Sequence, residues 1–317
     1  MKTFLIIDGH ALIYRAYHAF PPTFFNRQGQ LVNAVYGFAR ILLAAIRDFK
    51  PEYMAIAFDS KEKTWRHEEF PYYKAQRPPM PDDLIPQIQL IKDFVSALNI
   101  PQFAFPGLEG DDIIGSMACQ LEEKNGQDLL MMIVTGDRDT FQLVSDRVHI
   151  YLPARGKNVV AEEIDAARVK ERTGLRPDQI VDYKALAGDS SDNIKGVSGV
   201  GDKTAVALLQ TFETLERVYH QIEVEHLQPG DTSTAYPKLL RGAALKNLIN
   251  DHQQALDSQR LAKIICDRSI PFDLDACRIL NYNKAEAIAL LEKSDFTSLI
   301  KMLPQDDFEH DVQAALF

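Results

Sequence analysis

The sequence has 317 residues, 46% of them hydrophobic and 25% charged, with a formal net charge of −10. This is the composition of a globular chain long enough for one large domain or two modest ones. No apolar run approaches the ~18 residues of a membrane-spanning helix, and the acidic balance argues against a generic nucleic-acid coat.

The chain opens on MKTFLIIDGH, one lysine and a short apolar run that breaks at Asp8. The run is too short for a signal-peptide core and no small-residue cleavage site follows, so a cytoplasmic location is expected. KTFLII (residues 2–7), YMAIAF (53–58), Gln102–Phe105 and LLMMIVT (129–135) read as strands. Between them, Leu31–Phe49, Asp82–Leu98 and Ile113–Lys124 have helical periodicity. Short apolar runs alternating with helices predict an α/β fold, a buried, mostly parallel sheet with helices on both faces. From about Ala161 the pattern turns helical, broken at TGLRP (173–177) and GVSGVG (196–201). The end, PQDDFEHDVQAALF, reads as an acidic tail or linker. Cys119, Cys266 and Cys277 are odd in number and far apart in sequence. They suggest buried thiols rather than a disulfide framework or a thiolate zinc site.

The acidic residues carry the functional signal. Asp8 follows the first strand, Asp59 the second, and Asp137 and Asp139 the strand at 129–135. GLEGDD, which follows the short strand at 102–105, packs Glu109, Asp111 and Asp112 into four positions. Asp189 and Asp192, in GDSSDN, form a further pair from the helical half. Each alone is explained by turn or capping chemistry, since aspartate after a strand is a common turn former and suits a first helical turn. In an open parallel sheet, however, the carboxyl ends of the strands line one crevice, so these acids are expected to converge. Such a cluster repels itself unless hard cations neutralise it, and carboxylates suit Mg²⁺ or Mn²⁺. So many acids without nearby His or Cys point to two divalent ions and to phosphoryl chemistry.

Two further segments point the same way. SKEKTWRHEEFPYYKAQRPPMP interleaves Lys61, Lys63, Arg66, Lys74 and Arg77 with Trp65, Tyr72 and Tyr73, cations and rings that can grip phosphates and stack bases. Its glutamates make an ordinary solvated insertion the plain alternative. GVSGVGDKTAVALL places a glycine turn at the opening of a helix, where Gly196, Gly199 and Gly201 let backbone approach a phosphate. Lys203 and Thr204 add a cation and a hydroxyl there. With YKALAGDSSDNI before it, this is a helix–turn–helix unit that reads phosphates rather than base edges. It lacks P-loop spacing; the plain alternative is a glycine cap between packed helices.

Taken together, IDGHALIYRAYHA, AFDS, YYKAQRPPMPDDL, LEGDDIIG, VTGDRDTFQLV and DYKALAGDSSDNIKGVSGVGDKTA resemble the 5′-nuclease (flap endonuclease) family. The likeness is nearest to the N-terminal 5′→3′ exonuclease domain type of bacterial DNA polymerase I, and it runs from Lys2 to about Pro304. Lys195 and Ser198 depart from it where the family often has proline. The resemblance implies a PIN-like catalytic domain over 1–172, with an arch at about 60–82. A helical DNA-binding domain with a helix–three-turn–helix (helix–hairpin–helix) motif is implied over 173–303, leaving 304–317 as the tail. It implies that Asp8, Asp59, Glu109, Asp111, Asp112, Asp137, Asp139, Asp189 and Asp192 hold two Mg²⁺ or Mn²⁺ ions directly or through water. Lys74 and Arg77 are implied to contact the scissile phosphate with Tyr73 stacking beside it, and Arg66 to contact DNA. Backbone carbonyls around Val197 and Val200 are implied to hold K⁺ against the duplex.

The expected activity is Mg²⁺-dependent hydrolysis of DNA at 5′ flaps, nicks, gaps and 5′ ends, in primer removal and repair, leaving a 5′-phosphate. A polymerase domain in cis or in trans is an expected partner, and no membrane is. A stand-alone nuclease and a piece of a longer gene product are both open from sequence, as are the exo/endo balance and oligomeric state. A metal-free DNA-binding scaffold and a PIN-type ribonuclease are the alternatives; the full acid set argues against the first, the glycine hairpin against the second.

Overall fold

The computed structural model describes residues 2–124, 128–154, 159–232, 234–236, 239–279 and 282–305. Its centre is a six-stranded sheet in the order β3-β2-β1-β4-β5-β6. The strands are β1 (Lys2–Asp8), β2 (Tyr53–Ala57), β3 (Gln102–Phe103), β4 (Leu129–Val134), β5 (Val148–Leu152) and β6 (Glu162–Ile164). The first five are parallel to their neighbours; β6 runs antiparallel along β5. The mostly parallel α/β sheet is as expected. The strand at 102–105 is only two residues long, and β5 and β6 extend the sheet beyond the four strands expected.

Residues alternate between the two faces, as a strand's two-residue period requires. Leu5, Ile7, Met54, Ile56, Met132 and Val134 pack against α1 (Gly9–Ala19), α2 (Asn33–Phe49) and a later helix at Ile85–Ala97. Phe4, Ile6, Ala55, Ala57, Met131 and Ile133 pack on the other face. A short arch helix, α3 (Trp65–Glu69), precedes the Ile85–Ala97 helix, α4; α5 (Gly110–Lys124) covers the second face. The expected helices therefore form with ends displaced by up to three residues. At GLEGDD, α5 starts at Gly110, so Asp111 and Asp112 stand in its first turn.

The helical half contains α6 (Ala166–Thr173), α7 (Ile180–Ala187), α8 (Asp202–Phe212), α9 (Leu215–Val224), α10 (Gly242–Asn250) and α11 (His252–Ala262). Their apolar faces, among them Ile180, Leu186, Leu208, Leu209 and Leu245, join the second face of the sheet in one continuous core. The last two helices, α12 (Lys284–Lys293) and α13 (Thr297–Ile300), return to the first face, where Leu291, Phe296 and Leu299 share a core with Leu42 and Phe94. An expected helical domain over 173–303 thus divides physically: α12 and α13 pack with the sheet layer. The boundary at 172 falls inside α6, which ends at Gly174 in a left-handed cap. The tail from residue 306 lies outside the described residues.

Candidate functional site

The carboxyl ends of β1, β2 and β4 are adjacent in the sheet, and their acids meet where expected. Asp8 closes β1 and also caps α1, accepting the Ala11 amide at 3.0 Å. Its second oxygen accepts the Thr135 hydroxyl at 2.7 Å, and the same Thr135 oxygen accepts the Asp137 amide at 3.0 Å. Asp137 in turn accepts the Asp139 amide at 2.9 Å. From β2, Asp59 accepts the Gly110 amide at 2.7 Å, tying the strand end to the start of α5. The Asp59 amide donates to His10 Nδ1 at 2.9 Å, which fixes that nitrogen as an acceptor.

The electrostatics of this group are those of charges crowded together. The Asp8 carboxyl is pushed up to about 7, by burial first and by the charges of Asp59 and Asp137 against the opposing hydrogen bonds. Asp139 is likewise pushed up to about 7, by burial and then by Asp137, with Lys184 opposing. Asp111 is pushed well above the usual carboxylate range by burial and by Asp8, Asp137 and Asp59. Asp8, Asp111 and Asp137 thus share one pocket and do not point into separate solvent.

The remaining acids are reached by basic side chains. Lys74 Nζ lies 2.6 Å from Glu109 Oε2 and 3.7 Å from Asp192 Oδ2. Arg77 pairs with the other oxygen of Asp192. Lys184, from α7, bridges Asp139 and Asp189, the latter at 2.6 Å. Burial opposes ionisation of Asp189, but Lys184 and Ser191 overcome it and hold the carboxyl down at about 2. No three His, Cys, Asp or Glu side chains among the described residues are arranged to hold one ion as they stand. The arch and α7 place ammonium and guanidinium groups against Glu109, Asp192, Asp139 and Asp189. An open cleft of about 900 Å³ adjoins the pocket, lined by Arg15, Asp137, Asp139, Tyr183, Lys184 and Asp189 among others.

Three expected residues stand elsewhere. Arg66, expected at DNA, is 3% exposed and grips Asp112 in a bidentate pair at 2.7 and 2.9 Å. It also donates to the carbonyls of Leu261 and Lys263, so its cationic face is spent inside the protein. Asp112, expected as a metal ligand, is 0% exposed and accepts the Ile265 amide as well. Both lone-pair sets are engaged, and the residue is a structural counter-ion. Tyr73, expected to stack on a base, is buried with its hydroxyl donating to Glu109 at 3.1 Å and Asp192 at 3.3 Å, and its ring lies edge-on to His67.

The glycine hairpin joins α7 to α8. Gly188, Gly196 and Gly199 have positive φ. A Cβ on Gly196 would stand 2.3 Å from the Gly188 nitrogen, so two backbones touch where no side chain fits. Val197 and Val200 are buried; the Val197 carbonyl accepts the Val200 amide at 3.0 Å. Gly199, Gly201 and Lys203 are exposed and Thr204 is partly so, all at the open N-terminus of α8. Lys195, at the first departure from the family pattern, lies 4.8 Å over the Tyr72 ring.

Sequence reasoning missed Lys184, Thr135 and His10. The signal for Lys184 was a lone lysine among apolar residues in YKALAG, just ahead of the Asp189 loop. Thr135 and His10 were marked only by their nearness to strand-end aspartates.

Residues 3–174 match the model of the 5′-3′ exonuclease N-terminal resolvase-like domain, and residues 175–285 that of the 5′-3′ exonuclease C-terminal SAM fold. The chain belongs to the 5′-3′ exonuclease family, and is a nuclease by that membership. DNA polymerase I of Chloroflexus aurantiacus is 40% identical over 307 residues, a match covering 95% of this chain and 30% of that protein. The chain therefore spans about a third of such relatives. Among solved structures, T5 5′-exonuclease with divalent metal ions (zinc) bound has a TM-score of 0.62 at 20% identity, covering 95% of this chain and 98% of that one. The catalytic core of Rad2 in complex with DNA substrate has a TM-score of 0.58 at 17% identity, covering 95% and 93%. These two likenesses establish the fold. No helix among the described residues is long and apolar enough to cross a membrane.

Proposed function

We propose that this protein is a divalent-metal-dependent 5′→3′ exonuclease and flap endonuclease that hydrolyses DNA phosphodiesters near single-strand/duplex junctions, in primer removal and repair. The observation that carries this reading is the acidic pocket at the carboxyl edge of the sheet. Asp8, Asp111 and Asp139 are held there with carboxyl groups far harder to ionise than usual. Such a set is short of positive charge, and hard divalent cations answer that shortage. Asp8, Asp59, Glu109, Asp111, Asp137, Asp139, Asp189 and Asp192 would hold two Mg²⁺ or Mn²⁺ ions, directly or through water. Asp112 is left out of the set, being saturated by Arg66. Bound there, the ions would supply Lewis-acid charge for activating water and for neutralising the phosphate oxygens.

The chain's own residues have separate tasks in this reading. Lys74 and Arg77 exchange their carboxylate partners for the scissile phosphate and stabilise charge developing on it. Lys184 holds Asp139 and Asp189 in place across the join between sheet and helical half. The amides at the start of α8, with Lys203 and Thr204, bind duplex phosphates without reading sequence. The carbonyls of Val197 and Val200 hold K⁺ beside them, and a polymerase domain in cis or in trans works on the same DNA.

The test is cleavage of a 5′-flap DNA with Mg²⁺ and then with EDTA. Incision near the junction in Mg²⁺ and its loss in EDTA are expected; equal cutting in EDTA would remove the metal reading. An RNA substrate of the same shape is expected to be cut more slowly.

A further inference from the structure

Cys119 and Cys266 are far apart in sequence but adjacent in the fold. Cys119 lies on α5; Cys266 lies in the strap that follows α11. The strap is laid along α5 by a ladder of contacts on both sides of the two cysteines. The Ile265 amide donates to Asp112 at 2.9 Å, the Ser116 hydroxyl to the Ile265 carbonyl at 3.1 Å, and the Gln120 amide nitrogen to the Arg268 carbonyl at 2.8 Å. Gly115, one turn before Cys119, is so close to the strap that a Cβ there would stand 3.2 Å from the Cys266 sulfur. The Cys266 sulfur thus lies against the stretch of α5 that carries Cys119. Both are partly accessible, whereas Cys277 is buried.

We propose that Cys119 and Cys266 form a reversible disulfide, a modification site that staples the strap to α5. The neighbouring Cys266 thiol holds the Cys119 thiol below its ordinary range, while Cys119 and burial push Cys266 up. Cys119 is therefore the attacking thiolate. It attacks a low-molecular-weight disulfide such as glutathione disulfide, forming a mixed disulfide and releasing one glutathione thiolate. The Cys266 sulfur then attacks the Cys119 sulfur and releases the second glutathione. The protein dithiol loses two electrons and two protons, and one glutathione disulfide becomes two glutathione thiols. Disulfides in a reducing compartment are typically transient and redox-sensing, which matches a partly exposed pair better than a buried one. The staple closes the chain from α5 to the strap into one covalent loop, across the seam where Arg66 and Asp112 join the two halves.

The test uses the full reduced chain treated with glutathione disulfide and digested without reductant. A linked peptide joining Cys119 to Cys266, two hydrogens lighter than the separate peptides, is expected, with Cys277 still open to alkylation after denaturation. Thermal unfolding of the oxidised protein is expected to rise by roughly 5 °C, because the cross-link restricts the unfolded chain. Dithiothreitol should reverse both changes. In C119S and C266S the rise should vanish, and in C266S the remaining Cys119 should carry glutathione instead. Stable glutathione adducts on Cys119 and Cys266 of the wild type without a link, or a link to Cys277, would overturn the proposal. So would an equal thermal shift in wild type and C119S.

Discussion

Asp111 and Asp112 are neighbours in sequence with opposite physical situations. Asp112 is fully buried against Arg66, so Asp112→Ala leaves a guanidinium inside the protein without its partner. A loss of about 3–5 kcal/mol in denaturant unfolding is expected. Asp111 sits among like charges, so Asp111→Asn relieves repulsion; the metal-free protein should melt higher while its affinity for Mg²⁺ falls. The carboxylates of Asp8 and Asp139 set the pH dependence. Their ordinary value is 3.8 and their folded value about 7, so between these the folded chain holds more protons than the unfolded one. Stability contributed by this pair is therefore present at low pH and is lost as pH rises through about 7. Asp189 works the other way, supporting the fold above its ordinary 3.8 and losing that support as pH falls toward about 2. In EDTA, melting temperature should be greatest at about pH 4–5 and decline toward about pH 8, and added Mg²⁺ should reverse the decline at the alkaline end. A profile that rises with pH in EDTA would contradict the crowding. Asp139→Ala should abolish cleavage and leave duplex binding largely intact, measured by flap incision beside a binding titration.

Among the elements, the arch and the hairpin differ in what their sequences disclose. The basic, aromatic character of the arch is plain in sequence, but its partners are not. Arg66 meets a buried carboxylate on α5, 46 residues on, and carbonyls of α11 and its strap, some two hundred residues away, and no local pattern encodes those distances. Tyr73 is hidden from sequence for the same reason. The hairpin is more legible, since its glycines are required by backbone geometry over a few residues. Gly196→Ala should cost about 3 kcal/mol or more, because the position combines positive φ with a backbone collision. Lys74→Ala should slow single-turnover cleavage at least about a hundredfold if the ammonium moves from Glu109 to the phosphate. A near-wild-type rate would confine Lys74 to holding Glu109.

At the scale of the molecule, strands β1, β2 and β4 were readable because buried parallel strands are continuous apolar runs ending in polar residues. That ending also revealed the acids, since the carboxyl edge of such a sheet is where a crevice forms. β5 and β6, the latter short and antiparallel at the edge, lack such runs. The return of α12 and α13 to the first face was equally hidden, because amphipathic helices do not announce which surface they cover. The loop from Gly188 to Gly196 draws these scales together. Its ends are pressed backbone to backbone, and paired amides and carbonyls of Asp189 and Ile194 close it at 2.8 Å each way. The two acids within it and the glycine turn beyond it are thus parts of a single stiff bracket. A bracket of that kind is a ruler: adding or removing a residue between Asp192 and Gly196 should displace the scission point along the strand as well as weaken turnover.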